Sequence, residues 1–475
     1  MQVFLTKTVG LLIILFVFNS YSGAQKLNID FQIEGYHNDT LIIGYYFGDK
    51  TLIEDTLFTQ KGKKEYFKWT TDTLVAQGVY FAVLKPDNKI FQFLVNDRPG
   101  IIRFKFNAED LLDLSVKGCK ENEAFYSFLL FLGDKRVQRD TLNSSIEKAK
   151  MSNLPYEQFN EELAKIDAEV KAFQNRLLKD FPGSILAMLI STNMDIPMPE
   201  FTGDAQSVQT QRYYYYKSHY FDNLNFKHPA LIRIPTTHQK VDDYLNKMSV
   251  QIPDSLMIEV DYILNLAKPN REAFRYFLSE FLNKYGQSKY IGHDGIAAHI
   301  IDNYYSKGMA PWVTEENLGK LKDNADNIRP TMLGKKMPDI ITYQEDSTAV
   351  RLYDIIADYT ILFIWDPTCG SCKKAAPDIV NFYNKYKTEN IKVLTICNQS
   401  GEKYKSCWPS VVEKGMEGLI NTGDEYQRYQ SKVRNTSVPK IYFLDKDKKI
   451  LLKDFPSEKL EEIFENFKKN TNNAN

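Results

Sequence analysis

The chain has 475 residues, of which 43% are hydrophobic and 25% charged, a globular composition that argues against intrinsic disorder. Its 60 basic and 61 acidic residues give a net charge of −1, which argues against a nucleic-acid-binding protein, because such proteins bind phosphates through a basic surface. The 5 cysteines are too few for a disulfide-rich scaffold, and a chain of this length predicts about three domains.

Residues 1–24 have the pattern of a secretory signal peptide. Lys7 supplies a positive charge, residues 9–18 form an apolar run, and Ser22-Gly23-Ala24 is a small-residue cleavage site. The run is short for a membrane span, and an uncleaved membrane anchor is the alternative. The first cysteine is Cys119, so no cysteine stands at the cleavage site to carry a lipid. We therefore expect an exported protein in a compartment where disulfides form and persist.

Residues 25–118 are predicted to form a β-rich, sandwich-like domain. Apolar and polar residues alternate over 27–33 and again over 102–106, which is the period of half-buried strands. The apolar segments 79–84 and 90–95 flank a Lys-Pro-Asp-Asn-Lys turn, which predicts a hairpin. Many short strands separated by turns favour a sandwich.

Residues 119–332 are predicted to form an all-α domain. One apolar stripe, with spacings that alternate between three and four residues, runs from Tyr156 to Leu177 and is ended by Pro182-Gly183. A second stripe, from Phe274 to Tyr285, begins after Asn270 and closes at Gly286. A third helix, before Pro269, is predicted from the helical spacing of three apolar residues: Ile258, Tyr262 and Leu266.

Residues 333–475 alternate between strands and helices, which predicts an α/β domain. Strands are expected at 360–365 and 391–397, with a helix through residue 390 between them. Two further strands flank a lysine-rich turn at 446–449, which we interpret as solvated, and Ser457 is expected to cap a last helix.

The motif with clear chemistry is Cys369-Gly370-Ser371-Cys372, which stands between the strand that ends at Trp365 and the next predicted helix. Free N–H groups and the dipole at a helix N-terminus stabilise a thiolate on the first cysteine. That thiolate attacks a disulfide to form a mixed disulfide, and the second cysteine then releases the partner. A zinc half-site is the alternative, but the sequence has no second C-x-x-C, and all 6 histidines precede residue 300. No metal or cofactor other than the redox-active cysteine pair is therefore expected.

Residues 365–374, with the sequence WDPTCGSCKK, and the following Pro377 resemble the active-site segment of thioredoxin-fold disulfide oxidoreductases of the TlpA-like type. Residues 437–443 resemble the cis-proline loop and the following strand of that family, and residues 334–339 resemble the segment that opens such domains. The resemblance covers residues 333–475 and implies a thioredoxin fold for them.

The resemblance assigns roles to six residues. It implies that Cys369 is the nucleophile and that Cys372 is the resolving cysteine. Trp365 and Pro367 would shape the site, Pro439 would pack against the dithiol in the cis form, and the backbone of Val438 would pair with the substrate.

The family pattern is not complete in this chain. Two acids that assist proton transfer in the family are replaced by Phe363 and Ala375. Asp366 is the nearest substitute, although a solvated loop acid is the simpler interpretation. Asp366 also stands where a peroxidatic cysteine of the peroxiredoxin type would have a threonine, which argues against peroxidase chemistry.

A β-rich domain, a helical domain and a TlpA-like domain in this order resemble envelope proteins of Gram-negative bacteria, as do the segments at 212–221 and 292–295. The resemblance implies a periplasmic enzyme that reduces or exchanges disulfides of envelope proteins and receives electrons from a membrane donor. The direction of electron flow depends on a reduction potential, so it stays open, as do the substrates. The competing hypothesis is an envelope binding or assembly module whose dithiol is a redox switch or vestigial.

Other conspicuous residues have simpler interpretations. Cys397 and Cys407 could form a local disulfide, but buried free thiols are the favoured interpretation, as for Cys119. The tyrosines at 213–216 are expected to pack in a core. Two histidines are expected to lie on different helix faces and not to bind a metal together: His293 and His299.

Overall fold

The computed structural model describes residues 27–60, 62–72, 75–97, 100–434 and 437–472. The predicted signal peptide lies outside these residues. The chain divides into two compact units between Lys240 and Val241. Within the described part of the chain, no helix combines the length and the apolar character that a membrane span requires.

Two four-stranded sheets open the first unit. The described strands are β1 (Leu27–Glu34), β2 (Thr40–Phe47), β3 (Lys50–Phe58), β4 (Tyr66–Thr71), β5 (Gly78–Leu84), β6 (Lys89–Val95), β7 (Gly100–Asn107) and β8 (Leu114–Lys117). One sheet has the order β4-β1-β7-β8 and the other β3-β2-β5-β6, and all neighbours are antiparallel except β1 and β7. The predicted alternation over 27–33 and 102–106 and the predicted hairpin at 85–89 are confirmed.

The two sheets face each other across an aromatic core. Phe31 of β1 lies 5.4 Å from Phe93 of β6, measured between ring centroids, and Phe91 stacks on Phe106 of β7 at 4.0 Å. These rings are buried, because alternate residues of each strand point to the inner face. The first unit therefore contains the predicted β-sandwich.

Helices complete the first unit: α1 (Lys120–Met151), α2 (Glu157–Asp180), α3 (Ile185–Thr192) and α4 (Ala205–Ser218), followed by α5 (Pro235–Asp243), which contains the division between units. The first turn of α1 is fixed to the sandwich, because the buried Asn122 side chain exchanges hydrogen bonds of 2.8 and 2.9 Å with the backbone of Leu94. The buried Glu121 accepts a hydrogen bond of 3.0 Å from the backbone N–H of Leu186 in α3.

The second unit begins with a helical segment: α6 (Pro253–Ala267), α7 (Arg271–Gly286), α8 (His293–Ile300) and α9 (Glu315–Ile328). The predicted limits of α7 are confirmed, because the side chain of Asn270 caps it through a 3.1 Å hydrogen bond from the N–H of Ala273. The third predicted helix is confirmed as α6, although Ile258 lies on its exposed side and is 69% exposed. A neighbouring face with more apolar residues is buried instead: Leu256, Val260, Ile263, Leu264 and Ala267.

The last part of the second unit is one mixed sheet flanked by helices. Its described elements are β9 (Ile341–Tyr343), β10 (Ala349–Arg351), β11 (Tyr359–Trp365), α10 (Gly370–Tyr386), β12 (Ile391–Cys397), α11 (Cys407–Glu413), β13 (Ile420–Gly423), α12 (Gln430–Val433), β14 (Lys440–Asp445), β15 (Ile450–Lys453) and α13 (Leu460–Asn472). The strand order is β10-β9-β13-β12-β11-β14-β15, with β11, β12 and β13 parallel.

Both faces of this sheet are covered. Ile361 and Phe363 of β11 point into a cluster formed with α10 and α13, whereas Leu362 and Ile364 point into a second cluster with Tyr429 and others. This arrangement explains why β11 is apolar at nearly every position. The α/β arrangement is that of a thioredoxin fold, and the predicted three-part fold class is confirmed.

Two details of the predicted elements are corrected. Helix α10 ends at Tyr386 and not at residue 390. The turn at 446–449 is not fully solvated, because the side chain of Lys448 is buried and its Nζ donates a 3.0 Å hydrogen bond to the hydroxyl of Thr360. The predicted boundaries at 118/119 and 332/333 mark changes of secondary structure, while the division into compact units falls inside the predicted helical domain.

Candidate active site

The two cysteines of the C-x-x-C motif lie at the beginning of α10, directly after the loop that follows β11. Cys369 is the N-cap residue, and its Sγ accepts a 3.3 Å hydrogen bond from the backbone N–H of Cys372. Cys369 is partly exposed, whereas Cys372 is fully buried in the cluster between the sheet and α10. A partner molecule can therefore reach the first sulfur and not the second.

The surroundings of Cys372 disfavour its thiolate. Burial, helped by the hydrogen bond and the charge of Cys369, raises the pKa of the Cys372 thiol to about 12. The backbone N–H of Asp366 donates a weak 3.4 Å hydrogen bond to its Sγ, which opposes the shift only in part. At neutral pH Cys372 is thus a thiol, and it stays protonated while Cys369 meets a partner.

A cis-proline loop lies against the cysteine pair. The peptide bond between Val438 and Pro439 is cis, as the resemblance implies. The Sγ of Cys369 lies 3.8 Å from the carbonyl oxygen of Val438, a contact between residues far apart in sequence. Val438 also packs against both hydrophobic clusters of the domain, which fixes this loop relative to the sheet.

Trp365 and Pro367 support the site from the interior. Trp365 is fully buried in the same cluster as Cys372, and its carbonyl accepts a 2.7 Å hydrogen bond from the N–H of Asn398. Pro367 is also buried. The roles predicted for these residues stay predictions. Because both side chains are buried, they can support the loop but cannot contact a partner.

Asp366 is more constrained than the predicted solvated loop acid. It is only partly exposed; one carboxylate oxygen accepts 2.6 Å hydrogen bonds from the N–H and the hydroxyl of Thr368, and the other accepts a 2.6 Å hydrogen bond from Gln399. The positions of the two missing family acids, Phe363 and Ala375, are buried and apolar. Sequence reasoning missed Gln399, because nothing in the local pattern brings it to Asp366.

An open groove of about 640 Å³ begins beside the cysteine pair. Its floor and walls come from the first turns of α10, the cis-proline loop with the start of β14, and the segment after β15. The residues that line it include Ser371, Lys374, Ser437, Pro439 and Asp454. Serine, charged and apolar residues line it together, a mixture that suits a polypeptide better than a purely apolar ligand.

The structure corrects two of the remaining interpretations. Cys397 and Cys407 form a disulfide with a Cα–Cα distance of 6.0 Å, so the favoured interpretation of free thiols is wrong for this pair. Cys397 ends β12 and Cys407 begins α11, and the fold brings these two positions together. Their separation of ten residues in sequence was compatible both with a disulfide and with free thiols. The tyrosine run does not pack in a core, because Tyr214 is 65% exposed and α4 has no buried residue.

Cys119 and the two histidines have local partners. Cys119 is a buried free thiol whose Sγ lies 3.2 Å from the Nδ2 of Asn122. His293 bonds to the hydroxyl of Ser288 at 2.9 Å, and His299 bonds to the carboxylate of Asp261 at 2.9 Å. Among the described residues, no group of three or more His, Cys, Asp and Glu side chains is arranged to hold a metal.

Two protein families match parts of the chain. Residues 333–452 match the AhpC/TSA family, and residues 168–329 match a domain of unknown function called DUF5106. The chain therefore carries a thioredoxin-like domain of the AhpC/TSA type at its C-terminal end, preceded by a DUF5106 domain. No curated protein matches the chain.

Several solved structures are similar to parts of the chain. A thioredoxin-like protein from Bacteroides caccae is 19% identical, with 57% of this chain and 98% of that chain covered and a TM-score of 0.42. A domain of a possible thiol-disulfide isomerase from Cytophaga hutchinsonii is 27% identical over 30% of this chain and 98% of that chain, with a TM-score of 0.28. The thioredoxin domain of a thiol-disulfide oxidoreductase from Bacteroides vulgatus is 18% identical over 28% of this chain and 96% of that chain, with a TM-score of 0.27.

Proposed function

We propose that the protein is a periplasmic thiol–disulfide oxidoreductase of the TlpA-like type, which reduces or exchanges disulfides of envelope proteins. The observation that carries the proposal is the asymmetry of the cysteine pair. Cys369 is accessible beside the cis-proline loop, whereas Cys372 is buried behind it as a protonated thiol.

The reaction follows from this asymmetry. The thiolate of Cys369 attacks one sulfur of a partner disulfide, a mixed disulfide forms, and the other partner sulfur leaves as a thiolate. Cys372 then loses its proton and attacks the Sγ of Cys369, and the second partner sulfur leaves. Two electrons and the proton of Cys372 pass to the partner, whose remaining thiolate takes its proton from water, and the 369–372 disulfide remains.

The chemistry needs no metal or bound cofactor, because the cysteine pair itself stores the two electrons. The oxidised pair must be reduced again, and we propose that a membrane donor exposed to the same compartment supplies the electrons. The partner segment would lie along the groove and pair with the backbone of Val438. Export by a cleaved signal peptide at residues 1–24 is part of the same proposal.

Insulin reduction tests the proposal. With dithiothreitol as the electron source, the full mature chain should accelerate precipitation of the insulin B chain, and Cys369→Ala should not. A Cys372→Ser variant should retain partners from an envelope extract as mixed disulfides that a reductant releases. Equal activity of wild type and Cys369→Ala, together with an empty trap, would favour the binding or assembly module instead.

A further inference from the structure

The helical segment of the second unit holds one wall of the groove beside Cys369. Residues 454–458, which we call the outer wall, line the groove directly after β15. On the groove side, the N–H of Asp454 bonds to the carbonyl of Ile441 at 3.1 Å, and the Nζ of Lys440 lies 2.6 Å from the carboxylate of Asp454. The position of the outer wall therefore depends on where β15 is held.

Residues 334–337, which leave the helical segment, pair with the backbone at the beginning of β15. The N–H of Gly334 donates to the carbonyl of Ile450, and the N–H of Ile450 donates to the carbonyl of Lys335, both at 2.8 Å. The N–H of Met337 donates to the carbonyl of Lys448 at the same distance. Because β15 is the last strand in the sheet order, its outer backbone groups would otherwise be unpaired, and these hydrogen bonds pair some of them.

Helix α8 holds the other end of β15. The Nζ of Lys453 lies 2.5 Å from the Oδ2 of Asp294 in the first turn of α8, and the Lys453 side chain is only 4% exposed. Lys453 is the last residue of the strand, directly before the outer wall. Ile291, just ahead of α8, packs against the hydrophobic cluster that contains Phe455 of that wall.

A weaker contact of the helical segment lies close in sequence to the cis-proline loop. The guanidinium of Arg434, which precedes the cis-proline loop, lies 3.7 Å from the carboxylate of Asp326 in α9. Both side chains are partly exposed, so this ion pair contributes less than the one at Lys453. The helical segment thus contacts β15 directly before the outer wall and the chain ahead of the cis-proline loop.

We propose that Asp294 is a positioning residue through which the helical segment fixes the outer wall, so that the site prefers extended polypeptide disulfides to small disulfides. The inference rests on the proposed function of the cysteine pair. A small disulfide needs only the sulfur of Cys369, whereas a polypeptide must also lie in the groove. If the outer wall is held in place before the polypeptide binds, binding does not incur the entropic cost of ordering that wall.

The test compares two substrates in the full mature chain. The rate of reaction with 5,5′-dithiobis(2-nitrobenzoate) measures the dithiol alone, and the KM for insulin measures the groove. Asp294→Ala leaves the ammonium of Lys453 buried without its partner, so the outer wall should loosen. We expect the KM for insulin to rise roughly five- to tenfold, the range for losing one well-packed contact, while the rate with the small disulfide stays unchanged.

Two further variants separate positioning from damage to the fold. Asp294→Leu combined with Lys453→Met replaces the ion pair by apolar contact and should restore the insulin KM, since such replacements are often neutral. Asp346→Ala is the matched control, because Asp346 is an exposed turn acid that accepts a local 2.9 Å hydrogen bond from the N–H of Thr348. It should leave both measurements unchanged.

Every outcome of these measurements either supports or contradicts the positioning role of Asp294. An unchanged insulin KM in Asp294→Ala, or an equal loss with both substrates, would overturn the inference. If Asp294→Ala does not melt cooperatively, Asp294→Asn takes its place in the test. A KM for insulin that does not rise in Asp294→Asn would then overturn the inference. A wild type that reacts with the small disulfide and reduces no insulin would refute the polypeptide preference and leave the dithiol chemistry intact, whereas inertness toward both would refute the proposed function.

Discussion

The disulfide between Cys397 and Cys407 should stabilise the second unit by a measurable amount. The two cysteines are 10 residues apart, and both are buried. The chain-entropy relation for a loop of this length gives a stabilisation of about 3 kcal/mol, because the bridge restricts the unfolded chain. For a unit the size of residues 241–475, the double variant Cys397→Ala/Cys407→Ala should melt roughly 6–12 °C lower.

Differential scanning calorimetry of the full mature chain can measure this shift. Cys119→Ala is the control, because it removes a buried thiol of the first unit that forms no disulfide. Only the bridge variant should lower the transition of the second unit. In a strong reductant the wild type and the bridge variant should converge, since the unfolded wild type then loses its bridge as well.

Thiol counting gives an independent check. The structure contains a disulfide and 3 free cysteines, so denatured protein that has kept its bridge should show at most 3 reactive thiols out of 5. Five thiols without added reductant, or equal melting temperatures for wild type and bridge variant, would contradict the reasoning.

Three more predictions concern buried groups. Because burial raises the pKa of Cys372 from about 9 to about 12, the unfolded chain releases a proton in that range that the folded reduced protein retains. Urea titrations should therefore show the free energy of unfolding falling by about 1.4 kcal/mol per pH unit above pH 9, a fall that Cys372→Ala lacks. Thr360→Val, which removes the hydrogen-bond partner of Lys448, should cost about 1–3 kcal/mol in the same assay, whereas Thr360→Val with Lys448→Met should recover most of it. Gly292→Ala should lower the melting temperature, because Gly292 has a φ of +85° and an added Cβ would lie 2.5 Å from the side chain of Leu333; Gly319→Ala, in open space on α9, should not.

The parts of the fold that depend on local patterns could be predicted from the sequence. Helix α7 follows from an N-cap asparagine, a stripe with helical spacing and a closing glycine, all of which lie in one continuous segment, 270–286. The cysteine motif could also be predicted, because a strand, a short loop and a helix start are visible together around residues 365–372. In these cases the residues that determine the structure are neighbours in sequence.

The remaining features depend on contacts between distant segments. Lys448 stands in a run of lysines and aspartates that is typical of an exposed turn, yet backbone bonds from residues 334–337 cover it. The ion pair between Asp294 and Lys453 joins two segments that no local period relates. The same applies to the contact between Asp366 and Gln399 beside the cysteine pair.

The two cysteine pairs of the thioredoxin-like domain show how accessibility separates their roles. Cys369 and Cys372 follow β11, whereas Cys397 ends the neighbouring parallel strand β12. Cys372, Cys397 and Cys407 lie in one hydrophobic cluster. A thiolate can attack a disulfide only if it can reach one of the sulfurs. Both sulfurs of the 397–407 bridge belong to buried residues, so that bridge resists exchange, whereas Cys369 is partly exposed beside the groove. The sequence places both pairs at the ends of strands, and the packing around them makes only one pair available to a partner.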